Sequence, residues 1–194
     1  MKIKEIFDKP FKGLRIENNS DNKLDAYLID TKDVENCVIR INKSELKTIN
    51  MEVSPKYFLK EGDIIIATVP SSTTAHVGYC SIISDEDKCI IKKNFIILRN
   101  CNEKYNAEFV AEYLELFGVV EAYNKKNQNK SEKEALTTID IENIEIPNIP
   151  IDKQNKLVEV FDPMNERVDL FNRIISNENR IKKYLISEMI ESEK

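Results

Sequence analysis

The sequence predicts an α+β fold: a mixed, mainly antiparallel sheet with packed helices over residues 1–150, followed over residues 151–194 by a long C-terminal helix of coiled-coil type. Three observations predict it. Between residues 27 and 98, short β-branched and aromatic runs alternate with turn residues, the pattern of successive strands. Phe109, Tyr113 and Phe117 then recur at helical spacing. Past Pro147 and Pro150, which block helix and favour extended backbone before them, a second helical pattern opens at Ile151 and continues almost to the end. The 194 residues suffice for one cored domain and an appendage, and 41% hydrophobic with 32% charged residues fits a globular protein with a strongly polar surface.

Residues 1–23 are weakly patterned; Ile6, Phe7, Phe11, Leu14 and Ile16 offer apolar anchors, and 18–23 reads as a polar loop. Tyr27-Leu28-Ile29 and residues 37–41 read as strands, with a turn or short helix over 30–36. Residues 44–52 fit more than one state, and 54–58 form an extended or turn lead-in. Gly62-Asp63 punctuates, and the apolar run 64–69 predicts a strand buried on both faces and ended by Pro70. A small polar loop over 71–76, a strand over 77–83, a turn over 85–88 and one strand over 89–98 complete a meander, in which sequential strands usually pair.

Asn106 is placed to cap a helix running through Phe117, with Glu108 in its first turn and Phe109, Tyr113 and Phe117 as a core-facing stripe. Gly118 suits either a C-cap or a helix interior. Residues 124–133, NKKNQNKSEK, read as an exposed loop. A short turn over 138–141 leads to the apolar-alternating run Ile144-Glu145-Ile146. In the last segment Leu157, Val158 and Phe161 form one patch, and Asp162-Pro163 suits a helix restart. Met164, Val168, Phe171 and Ile175 follow at heptad spacing. Strict continuation puts Glu178 and Lys182 on the seam before Leu185 and Met189, with Ile174 and Ile181 beside it. A helix this long with an apolar stripe calls for a partner helix.

No catalytic constellation is present. His76 is the sole histidine, beside Ser71, Ser72, Thr73 and Thr74 and without a neighbouring carboxylate, and the four glycines never take G-x-G spacing. Asp162-Pro163-Met164-Asn165 lacks the second proline and the aromatic of an adenine-methyltransferase motif, and the Asp85-Glu86-Asp87 cluster reads as solvated surface. Cys37, Cys80, Cys89 and Cys101 have no C-x-x-C spacing and read as reduced thiols, mostly buried. The N-terminus lacks a signal-peptide core and no apolar run spans a membrane, so a cytoplasmic chain is expected. The net charge of −5 counts against nonspecific coating of DNA, though not against a basic contacting face. Three groups suit such contact: Ser71, Ser72, Thr73, Thr74 and His76, with small hydrogen-bonding side chains; Lys92 and Lys93; and Lys125, Lys126, Asn127, Gln128 and Lys130, which join phosphate-seeking cations to amides able to pair with adenine.

Two motifs, in order, carry a family resemblance. One is Leu59-Lys60-Glu61-Gly62-Asp63-Ile64-Ile65-Ile66, followed by Val77-Gly78-Tyr79-Cys80; the other is Ile144-Glu145-Ile146-Pro147, Pro150 and Gln154. Together they resemble a target-recognition domain, and the start of the helix after it, in the specificity subunits of type I restriction-modification systems. The resemblance covers nearly the whole chain, but full members carry two such domains and two helices, and this chain has room for one of each.

The resemblance implies a non-catalytic, sequence-specific reader of double-stranded DNA. It would direct a modification (methyltransferase) subunit using S-adenosylmethionine and, where one exists, a restriction subunit using ATP and Mg2+; this chain itself would hold no cofactor or metal. Gln154 is carried over as a partner-subunit contact position. A single domain with a single helix leads to the expectation of an antiparallel homodimer reading a split palindromic site. Its helix contacts would come from Leu157, Phe161, Met164, Val168, Phe171, Ile174, Ile175, Ile181, Leu185 and Met189. The alternatives are a protein-interaction module or donor cassette that does not bind DNA by itself, and an enzyme using His76 or the acidic turn.

Overall fold

The computed structural model describes residues 1–17, 22–41, 43–70, 75–81 and 88–192. They divide into two compact units, Met1–Asn155 and Lys156–Lys194. The first holds two sheets. The strands are β1 Phe11–Lys12, β2 Lys23–Ile29, β3 Val34–Glu35, β4 Cys37–Ile39, β5 Lys47–Asn50, β6 Ile64–Ala67, β7 Val77–Tyr79, β8 Cys89–Ile91 and β9 Phe95–Leu98. Among the described residues one sheet has the order β1-β9-β6-β7-β4-β3 and the other β5-β2-β8. Pairing is antiparallel except for β2 with β8 and β4 with β7, so the sheets are mixed and mainly antiparallel, as the sequence predicts.

The centre of the larger sheet is the β6–β9 pair, in which Ile64 faces Leu98 and Ile66 faces Ile96. Every residue of both strands is buried. An unbroken apolar run is what burial on both faces requires. Gly62 has φ +80°, a left-handed conformation that glycine adopts without steric cost, and it turns the chain into β6. Gly78 lies where β7 runs parallel to β4; a Cβ there would come within 2.5 Å of Ile39 Cγ1. The Gly-Asp and Val-Gly motifs thus mark one tight turn and one close strand approach.

Asp63, fully buried, explains the other half of the first motif. Its carboxylate accepts from Arg99 Nε and Nη2, both at 2.6 Å, and from the Lys60 N–H at 2.8 Å. Arg99 also donates to the Lys56 and Phe58 carbonyls. This two-toothed pair ties the turn before β6 to the end of β9.

Several predicted elements are corrected. Residues 89–98 are two strands, not one: Lys92 and Lys93 sit in the turn between β8 and β9. The predicted helix does not stop near Phe117. It continues from α1, Ala107–Tyr113, through a π turn, Leu114–Gly118, into α2, Val119–Asn127, so Gly118 is interior and residues 124–127 are helical rather than loop. The π turn inserts one residue. It turns Phe117 outward (59% exposed), and burial passes to Gly118, Val119 and Tyr123, so Phe117 leaves the predicted core stripe. Residues 138–141 belong to a helix, α3 Thr138–Glu142, capped by Thr137 with Asp140 answering in a capping box. Beyond it, the Ile-x-Ile run pairs with the N-terminus: Ile3 N–H donates to Ile144 O at 3.0 Å and Ile146 N–H to Met1 O at 2.8 Å.

The last helix, α4, runs unbroken over Ile151–Ser192, 42 residues with Pro163 inside it, so Asp162-Pro163 does not restart it. No described helix is long and apolar enough to cross a membrane.

Candidate nucleic-acid interface

The ends of β6 and β7, the β8–β9 turn and the approach to α3 meet at one edge of the first unit. Thr68 N–H donates to Asn94 O at 2.9 Å, and Leu136 N–H to Thr68 O at 2.7 Å. Ala67 N–H donates to His76 O at 2.9 Å. Lys126 Nζ, on the last turn of α2, reaches Ala135 O at 2.9 Å. Thr68 and His76, the Lys92-Lys93 turn and the basic end of α2, which the sequence scatters, therefore share one end of the sheet.

Within this cluster the charged side chains have distinct tasks. Lys92 forms an ion pair with Asp30, which Asn94 Nδ2 supports at 3.3 Å. The Lys92 hydrogen bond is the main reason that the Asp30 carboxyl titrates below the usual range, against the opposing effect of burial. Lys126 donates to Asp140 Oδ2 at 2.6 Å. Burial pushes the Asp140 carboxyl up, but hydrogen bonds from Lys126 and Thr137 outweigh it and leave it lowered. Asn127 bonds both ways with the returning chain, Nδ2 to Glu134 O at 3.1 Å and Oδ1 from Glu134 N–H at 2.7 Å. Lys130 pairs with Glu134 at 2.7 Å. His76 Nδ1 lies 3.2 Å from Val34 O, which accepts from it.

Lys93, Lys125 and Gln128 are exposed. Ser71, Ser72, Thr73 and Thr74 lie outside the described residues, as does the acidic run 85–87. Sequence reading missed Asp30 and Asn94, whose role depends on a contact more than sixty positions away. A second feature missed is Glu115, whose Oε2 accepts from Val77 N–H at 2.7 Å beneath the start of β7. Burial, opposed by that bond and reinforced by the Glu112 charge, pushes its carboxyl up to about 7. The Cys37 thiol is held well above its ordinary range by burial and then by Glu112, which disfavours its thiolate form. All four cysteines are free thiols, and Cys80 and Cys101 are pushed up by burial to about 12. Among the described residues no three metal-ligating side chains come together.

Gln154, the position assigned to a partner contact, is fully buried within the first unit. Its Oε1 accepts from Asn106 N–H at 2.9 Å, and its Nε2 donates to Ile149 O at 2.6 Å and Lys104 O at 3.2 Å. Asn106 meanwhile caps α1 through Oδ1, which accepts from Glu108 and Phe109 N–H, and its Nδ2 donates to Asn155. The first turn of α4 is thus locked to the first turn of α1. The amide of Gln154 acts inside the unit rather than at its surface.

No family model and no curated protein matches the chain. Solved structures do. The HsdS subunit from Thermoanaerobacter tengcongensis superposes with a TM-score of 0.63 over 95% of this chain and 46% of that chain, at 18% identity. A structure from work on complex assembly and conformational transition of the type I R-M system gives a TM-score of 0.58 over 89% of this chain and 39% of that one, at 17% identity. One structural neighbour is thus an HsdS subunit and the other comes from the type I R-M system, and the likeness establishes a shared α+β fold. The chain spans less than half the length of these structures.

Proposed function

We propose that this chain is a DNA-recognition subunit that directs a type I modification methyltransferase, and a restriction complex where one exists, to a target sequence. The observation that carries this reading is the gathering of Thr68 and His76, the Lys93 turn and the basic end of α2 at one edge of a fold shared with specificity subunits. Loops held by a rigid sheet are the usual carriers of recognition. Lys93 and Lys125 are exposed cations for phosphate contact, and Gln128 is an amide suited to base edges. Methyl transfer and DNA cleavage would reside on partner subunits, with S-adenosylmethionine on the modification subunit and ATP and Mg2+ on the restriction subunit.

The exposed stripe of α4, with Phe171 at 63% and Met189 at 68%, supports an antiparallel homodimer through these helices. Two identical recognition domains would then read a split palindromic site.

The test is methylome sequencing of cells expressing the chain with its modification subunit, paired with DNA binding by the purified proteins. A single split palindromic methylated motif is expected. Lys93→Gln with Lys125→Gln should weaken binding to all sequences alike and flatten the salt dependence, by about 0.9 in log–log slope for each phosphate no longer neutralised. The absence of any chain-dependent methylated motif, together with no binding to mixed-sequence DNA in the presence of the modification subunit, would refute the proposal. It would favour a protein-interaction module, a reading that the net charge of −5 and the internal pairing of Lys92, Lys126 and Lys130 already support.

A further inference from the structure

We propose that the partner of α4 is a second copy of this chain, and that Glu178 and Lys182 set the register in which the two helices pair. This rests on the homodimer reading above and adds to it the alignment of the helices. The seam of α4 is apolar at Met164, Val168, Phe171 and Ile175 and again at Leu185 and Met189, but at two successive seam positions between these blocks it carries Glu178 and Lys182. Both are exposed in the single chain. A partner helix with a wholly apolar seam would take both charges out of water with only each other, four residues apart on one helix, as counter-charge, which is unfavourable. A parallel copy in register would set Glu178 against Glu178 and Lys182 against Lys182.

An antiparallel copy with the two-fold axis at the level of Arg180 resolves both problems. Glu178 of each copy then faces Lys182 of the other, and the ion pair forms twice. The same alignment sets Ile175 against Leu185 and Phe171 against Met189, apolar on apolar, while Ile181 of each copy flanks the charged layer; in this register the seam contacts come from these residues and not from Leu157, Phe161, Met164 or Val168, which the sequence reading also assigns to the pairing. A slide of one heptad in either direction destroys this match. One way, Glu178 and Lys182 face Ile175 and Phe171; the other way, they face Met189 and Leu185. Charged pairs within a coiled-coil seam contribute little to stability, but they select register and partner.

The experiment is sedimentation equilibrium of the full chain and three variants, E178K, K182E and the double swap E178K/K182E. The wild type is expected to be a dimer. Each single variant sets like charges together twice and should weaken self-association by at least about tenfold. The double swap should restore the dimer. An equimolar mixture of the two single variants should form a heterodimer, since lysines at 178 and 182 of one chain then meet glutamates on the other. Recovery in these two arms excludes misfolding as the cause of the loss. Undiminished dimers of both single variants, or loss without recovery, would overturn the register while leaving the homodimer reading standing. A wild type that stays monomeric across the concentration series would overturn the homodimer reading itself.

Discussion

Replacing Gln154 by leucine tests the role of this buried amide as the lock between α1 and α4. Leucine is close in size, so the change removes hydrogen bonds with little change in volume. Three backbone groups lose their partner: Asn106 N–H, Lys104 O and Ile149 O. A buried polar group left unpaired costs about 1–3 kcal/mol, and these bonds are only part-buried, so each loss falls near the lower end. The sum is about 3 kcal/mol, a substantial part of the roughly 5–15 kcal/mol stability typical of a domain. The assay is urea denaturation, with the midpoint falling at unchanged slope. Hydrogen exchange should show the first turns of α1 and α4 losing protection together, because one side chain serves both. Replacement by glutamate adds a second readout. A carboxylate can still accept from Asn106 N–H but cannot donate to two carbonyls, so burial beside them raises its folded-state pKa. Stability of that variant should therefore be greatest at acid pH and decline as pH rises through the raised value. A loss below about 1 kcal/mol for Gln154→Leu, or exchange that changes at one helix only, would refute the reasoning.

Asp63→Ala leaves the Arg99 guanidinium without its carboxylate and should destabilise by about 3–5 kcal/mol, whereas the Asp63→Leu/Arg99→Met pair should recover much of that loss in the same denaturation assay. Glu115, whose carboxyl rises from 4.5 to about 7 on folding, binds a proton in the folded but not the unfolded chain between those values, so its contribution to stability is present below about pH 4.5 and is lost as pH rises to about 7. Glu115→Gln, which keeps an acceptor for Val77 N–H, should flatten the thermal midpoint across that window. Pro163 removes one helical hydrogen bond inside α4, and a proline in a helix interior costs about 3 kcal/mol relative to alanine, so Pro163→Ala should raise helicity by circular dichroism and tighten any self-association through α4.

Much of the architecture was legible because burial leaves a local signature. Ile64-Ile65-Ile66 announces a strand covered on both faces, and Asn106 announces a helix start by chemistry spanning only three residues. The misreadings have two causes: for the lysine and asparagine side chains the deciding partner lies elsewhere in the sequence, and for Phe117 and Pro163 the helix departs locally from the usual rule. Phe117 keeps perfect helical spacing, and only the π turn beneath it shifts the phase. Lys92 and Lys93 fit a polar strand face until the close of the β8–β9 turn sends Lys92 to Asp30. Lys126 and Asn127 look free in a polar run, yet the chain that returns at Glu134 and Ala135 takes up their hydrogen bonds. Pro163 reads as a boundary because proline disfavours helix, but continuity on both sides carries the helix through it.

The same distinction narrows the candidate interface. A side chain already bound to its own chain must break that bond to reach DNA, so Lys92, Lys126 and Asn127 serve better as supports than as contacts. Their pairing fixes the geometry of the edge from which Lys93, Lys125 and Gln128 project. An acidic chain repels DNA at long range, and with so few free cations among the described residues of this edge the electrostatic part of binding is small. On the function proposed above, affinity would have to come from base contacts, from the proposed doubling of the domain through α4, or from phosphate contacts on the proposed methyltransferase partner. The proposed function therefore predicts that DNA binding by the isolated chain is weaker and less salt-dependent than binding in the presence of a modification subunit.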